Sequence, residues 1–196
     1  MHAEVPSTAG SSNPVPYGAA KARVVAAALD LFTEQGISGT SLQMIADAVG
    51  VTKAAVYHQF PTKEEIVVAT VEVELARLGP TLDAAEAEPD HALALDLLLT
   101  QVIDLAVGHR RMVVTLQHDP VVVRLLAEHA PFQQFMQRLF RILTGDDASP
   151  AARVRAAMVS TAIGGAVSHP LVAGLDDDTL RSQLHRLAGT FLGGPD

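Results

Sequence analysis

The stretch from Ser41 to Lys63 reads SLQMIADAVGVTKAAVYHQFPTK, and its residue types suit recognition of a surface more than the breaking of bonds. Thr52, Lys53 and Ala54 would open a short helix, with Tyr57 and His58 one turn later on the same exposed side. Small and polar groups at the N-terminal end of such a helix are what base edges in a DNA major groove admit. Other chemistries find less support. The eight histidines form no HxH, HxxxH or HExxH pattern, so no metal site is expected, and zero cysteines exclude a thiolate site or a Cys nucleophile. Ser168 and His169 are adjacent in sequence, which is not triad geometry. No phosphate-cradling loop, nucleophile elbow or dinucleotide fingerprint occurs. An enzyme is therefore not expected, and no cofactor is implied.

Positioning those residues requires two short helices and a tight turn. Ser41 can cap a first helix in which Leu42, Ile45, Ala46 and Val49 keep an i, i+3, i+4, i+7 stripe. Gly50 breaks it. Thr52 restarts a helix with Ala55, Val56 and Phe60 as its apolar positions, and Pro61 ends it. The result, at about 41–60, is a helix-turn-helix whose first helix braces the second. Before it, Val24, Ala28, Leu31 and Phe32 share a helix face, and Gly36 follows where a C-terminal glycine belongs. After it, Thr62 and Glu65 form a capping box. The helix they open is expected to stop near Leu78, ahead of Gly79-Pro80.

Residues 19–64 resemble the N-terminal domain of the tetracycline-repressor (TetR) family of transcriptional regulators. The resemblance rests on ALDLFTEQGISGTS and IADAVGVTKAAVYHQFPTKEE, which carry the Ile-Ala pair, the Gly50-Val51 turn, Tyr57 with Phe60, and Lys63. It implies a homodimer on a palindromic double-stranded DNA operator, released by a small molecule, with the last two helices forming the dimer bundle. It also implies roles. Tyr57 and Lys63 would hold phosphates, the latter aided by a helix N-terminus. Thr52, Lys53 and His58 would reach bases or phosphates, and Ser41 and Gln43 lie in reach. Ala54 stands where the family often has Gly, and Gln59 where His is frequent.

The remainder reads as helices separated by breakers. Pro89 marks a helix start, and Leu93, Leu97, Val102 and Leu105 are expected to line its buried face. Gly108 to Arg111 is a boundary, and Asp119-Pro120, Ala130-Pro131 and Ser149-Pro150 open further helices. Asp176 to Asp178 begins the last one, with acidic groups at the positive end of its dipole. No strand alternation or hairpin dipeptide is present. The expected fold is all-α: a tail over 1–17, a DNA-binding domain over 18–78, and a helical ligand-binding and dimerisation domain over 79–196. Met112, Gln117, His118, Phe132, Phe135, Met136, Thr161 and His169 are the candidates for an effector pocket, which needs apolar walls and a few polar groups. For each of the apolar ones core packing is by a wide margin the stronger explanation. Ala157, Thr161, Gly164 and Gly165, with Leu180, Leu184, Leu187 and Phe191, are the candidate dimer face.

Composition bounds these readings. The chain has 196 residues, 48 % of them hydrophobic, and a net charge of −8. Residues 1–63 carry four basic and four acidic groups, so the whole excess of acid lies beyond them. Such a body repels nucleic acid, which confines DNA contact to the N-terminal region. The N-terminus shows no basic and apolar run of a signal peptide, and 156–175, free of Asp, Glu, Lys and Arg, is interrupted by Ser, Gly, His and Pro. No membrane association is expected, and the location is expected to be cytoplasmic. The rival classes are a helical protein-interaction module that has lost DNA binding and an unrecognised helical enzyme.

Overall fold

The first helix, α1 (Ala19–Gly39), buries Val24, Val25, Ala28, Leu29 and Phe32 on one side. Gly36, at φ 77°, breaks its regularity, and Ile37 tucks back into the core. These side chains pack with α2 (Leu42–Val49), α3 (Lys53–Gln59) and the first half of α4 (Lys63–Ala87). The protein is described here by a computed structural model covering residues 17–193, with ten α-helices and a short 3-10 turn at Pro170–Val172. No strand occurs among the described residues. Most of the tail assigned to 1–17 lies outside them. Tyr17, however, meets the Phe60 ring edge-on at 6.4 Å and donates its hydroxyl hydrogen bond to Glu72, so it belongs to the folded body.

The expected stop at Gly79-Pro80 is corrected. α4 runs through Pro80 to Ala87. A proline inside a helix costs about 3 kcal/mol. Leu78 and Leu82 flank it and are buried, and two buried leucines return about 3–6 kcal/mol. Packing therefore outweighs the local break.

The body comprises α5 (His91–Gly108), α6 (Arg110–His118), α7 (Pro120–Glu128), α8 (Ala130–Thr144), α9 (Pro150–Ala166) and α10 (Asp177–Leu192). Asp90, Asp119, Ser149 and Asp176 cap α5, α7, α9 and α10 with side-chain acceptors. The expected face of α5 is a second correction. Leu93 and Leu97 are exposed, while Ala94, Leu95, Leu98, Leu99, Ile103, Ala106 and Val107 are buried. The helix is apolar nearly all round, so its neighbours select the face. Asp96 and Asp104 pair with His185 at 3.2 Å and Arg181 at 2.9 Å on α10. By length and composition α5 could cross a membrane, but these ion pairs and its packing against α4, α8 and α10 place it inside the helical body.

Two cores fill the body. One joins Leu82 and Ala85 of α4 to Leu95, Leu98, Leu139, Ile142 and Leu143. The other joins Ile103 and Val107 to Val159, Ile163 and Leu180. A third core, that of the N-terminal helices, does not end with them. It takes in Met112 of α6 and Val122 and Leu126 of α7. His109, between α5 and α6, adds a polar link: its Nδ1 lies 2.8 Å from Thr33 Oγ1 on α1, and its Nε2 lies 3.8 Å from the buried Glu74 on α4.

Arg138 of α8 clamps α4 through Asp83 at 2.6 Å and Glu86 at 2.7 Å. The Arg138 hydrogen bond holds the Glu86 carboxyl below its ordinary value of 4.5. A carboxyl depressed in the folded state stabilises it fully above the ordinary value and loses that contribution as pH falls through the folded value. Arg138→Gln is therefore expected to remove part of the acid-side loss of stability below about pH 4.5. Melting curves between pH 3 and 6 read the difference between the two proteins; parallel curves would exclude this clamp as a contributor.

Candidate nucleic-acid interface and effector cavity

α2 forms because Ser41 Oγ accepts the Met44 N–H at 3.2 Å and Leu42, Ile45 and Ala46 bury one face. Gly50 ends it in the left-handed region, at φ 75°, which a side chain would resist. Thr52 then accepts the Ala55 N–H at 3.2 Å and starts α3. Within α3 only Val56 is buried. Thr52, Lys53, Ala54, Tyr57 and His58 are exposed, as are Ser41 and Gln43 at the start of α2. Gln43 Nε2 donates to Asp47 Oδ1 at 2.8 Å. The Lys53 ammonium sits 5.6 Å from the centre of the Tyr57 ring, an arrangement that holds both side chains to one spot.

Lys63 is placed differently from the exposed group. Its Nζ donates to the carbonyls of Ile37 at 2.8 Å and Thr40 at 3.1 Å, tying the end of α1 to the start of α4. That leaves one of its three N–H groups for any other partner. Replacing Lys63 by Met is expected to cost about 1.5–3 kcal/mol of unfolding free energy, because two carbonyls lose a charged donor. Denaturant titration reads this directly; an unmoved midpoint would rule out a bracing role.

Arg23 was not singled out from sequence. Its Nη2 donates to the Val49 carbonyl at 3.0 Å, pinning the turn of the helix-turn-helix to α1. Lys21 lies 4.9 Å from the centre of the Phe60 ring. Neither has a local sequence signal, since each partner lies far along the chain.

A cavity of about 260 Å³ lies between α5, α6, α8 and α9. It brings together Gln117, Phe132, Phe135 and Met136 with Leu98, Leu99, Val102, Val159, Ser160 and Ile163. The other four pocket candidates lie outside this cavity. Met112 is buried in the N-terminal core. His118 is exposed, with its Nδ1 2.8 Å from the Val114 carbonyl. His169 is exposed and accepts the Leu171 N–H at 3.2 Å. Thr161 is exposed on α9, because Val159, Ser160 and Ile163 take the face toward the cavity.

The outer side of α9 and α10 is apolar. Val154, Met158, Leu187 and Phe191 are each 45–56 % exposed. Between them runs a groove of about 270 Å³ lined by Met158, Ala162, Ala166, Leu184, Leu187 and Phe191. Two members of the expected face turn inward. Leu180 is buried in the body's core. Gly164 is buried beneath Gln117: a Cβ there would fall 1.8 Å from Gln117 Nε2.

Residues 24–70 match the bacterial regulatory proteins of the tetR family. This segment thus carries the tetR-family signature. The HTH-type transcriptional regulator RutR of Escherichia coli is 40 % identical over 53 residues, 27 % of this chain and 25 % of RutR. The chain spans under half the length of the curated relatives it matches. Solved structures extend the likeness of fold. A transcriptional regulator from Rhodococcus sp. RHA1 superposes with TM-score 0.67 at 24 % identity, covering 89 % of this chain and 96 % of that one. FadR from Bacillus subtilis, in complex with stearoyl-CoA, superposes with TM-score 0.63 at 15 % identity, covering 87 % and 98 %. The fold of these structures thus matches this chain over α4 to α10 as well as the N-terminal helices. The matched family and RutR are transcriptional regulators, not enzymes.

Proposed function

We propose that this TetR-family protein is a cytoplasmic transcriptional repressor that binds a palindromic operator as a homodimer and is released by a small molecule. Ser41, Gln43, Thr52, Lys53, Ala54, Tyr57 and His58 form the reading surface. Lys63 braces it and offers its remaining N–H to a phosphate. The exposed faces of α9 and α10, paired with those of a second copy, make a four-helix bundle.

One observation carries the ligand response. The short helix α6 has Met112 buried in the core of the DNA-binding helices and Gln117, five residues on, in the wall of the cavity. Occupation of the cavity that moves Gln117 must move Met112, and with it α1. Phe135 offers a second route, since it also lines a cleft along α4 beside Leu75, Gly79 and Leu82. In a dimer, half-sites sit about one DNA turn apart, roughly 34–36 Å, so a small tilt of each reading head lowers affinity. The effector acts by binding the tilted state better than the DNA-competent one.

Selection of bound sequences from a random DNA pool tests the reading. The expected result is an inverted repeat, and its enrichment is lost when a cavity ligand is added. A pool with no enriched sequence would overturn DNA recognition and leave a helical interaction module.

A further inference from the structure

The cavity between α5, α6, α8 and α9 has no ionisable side chain in its wall. Gln117 is exposed at its rim and Ser160 is half-buried, so a charged group brought in past them would lose part of its hydration with no counter-charge to replace it. Its polar groups are two and neutral, Gln117 and Ser160. They are close to one another. The Gln117 amide lies over the backbone of Gly164, and Ser160 is one turn earlier on the same face of α9. Ser160 Oγ donates its proton to the Ala157 carbonyl at 3.0 Å, which leaves its lone pairs facing outward as acceptors. The Gln117 amide has no hydrogen-bond partner among the described residues and can give an N–H. A hydroxyl suits this pair: it donates to Ser160 and accepts from Gln117.

The volume sets the size. A 150 Å³ apolar cavity takes one benzene ring, so one of about 260 Å³ takes about ten non-hydrogen atoms. Phe132, Phe135 and Met136 supply ring and thioether surface suited to a flat apolar body.

We propose that the cavity binds an uncharged, compact, mainly apolar molecule of this size whose single hydroxyl sits between Gln117 and Ser160. The proposal rests on the effector reading above and adds the chemical class.

Calorimetric titration of the full chain with β-naphthol, naphthalene and β-naphthoate at pH 7 tests it without DNA. β-Naphthol is expected to bind at least tenfold more tightly than β-naphthoate. Ser160→Ala and Gln117→Leu are each expected to weaken β-naphthol about three- to tenfold, as loss of one hydrogen bond does, and to leave naphthalene unchanged. Melting of both variants without ligand shows that they are folded, and either variant alone suffices for the comparison. Equal or tighter binding of the carboxylate, no binding of any probe, or indifference of β-naphthol to both substitutions would overturn the proposed class. An operator titration run alongside separates the two readings: β-naphthol that binds as expected but leaves DNA affinity unchanged upholds the ligand class and defeats the effector role.

Discussion

Met158→Asp is expected to convert the proposed homodimer into monomers that keep their melting temperature and lose operator affinity by roughly two orders of magnitude or more. Met158 is 53 % exposed in the isolated chain, at the rim of the groove between α9 and α10. A carboxylate there is solvated in the monomer, and such surface substitutions stay within about 0.5 kcal/mol. Across a paired α9–α10 face the same carboxylate is buried without a partner, which costs about 3–5 kcal/mol. A monomer grips one half-site only and forfeits the second set of DNA contacts. Sedimentation at micromolar concentration, melting and operator titration read the three effects. A variant that stays dimeric, or a parent that is monomeric while binding DNA, would refute the assignment of this face. Leu187 and Phe191, 55 % and 45 % exposed on α10, predict the same outcome for Asp in their place.

Tyr57→Ala is expected to lower operator affinity by about 5- to 150-fold, the range of a lost specific contact of about 1–3 kcal/mol. Tyr57 is 46 % exposed, so its removal takes little from the core. It does release Lys53, whose ammonium rests against its ring. The alanine variant thus loses a contact and the placement of a cation together. Tyr57→Phe keeps the ring and is expected to lose several-fold less. Titrations at two salt concentrations assign the contact: a loss that is uniform across sequences, with a shallower salt slope, marks phosphate, whereas relaxed choice at one base pair marks readout. Unchanged affinity in both variants would remove Tyr57 from the interface.

The helix-turn-helix was legible because the signals that start and stop its helices are short-ranged. Ser41 and Thr52 each cap the amide three residues on, and Gly50 supplies its turn by itself. The cavity was legible only in part. Phe132, Phe135 and Met136 announce an apolar face of α8, yet nothing in their spacing says whether that face meets a neighbour or an empty volume. Thr161 and Ser160 are adjacent and chemically alike, and the rotation of α9 against α5 and α8 alone chose Ser160 for the wall. Lys63 carried a plausible role in one surface while its ammonium reached two carbonyls, one of them 26 residues away.

By itself, then, the sequence determined the all-α class, most helix starts, the breaks at Gly36, at Gly50 and within Gly108 to Arg111, and α3 with its exposed residues. These follow from capping hydrogen bonds, backbone preference and 3.6-residue periodicity, whose reach is about one helical turn. Tertiary structure alone decided which side of α5 is buried, that α4 continues through Pro80, that Gly164 makes room for Gln117, and that Met112 joins α6 to the DNA-binding helices. Those outcomes depend on burial against partners distant in the chain. An apolar residue lowers the free energy by about the same amount against any apolar neighbour, so its own sequence context cannot say which neighbour it meets.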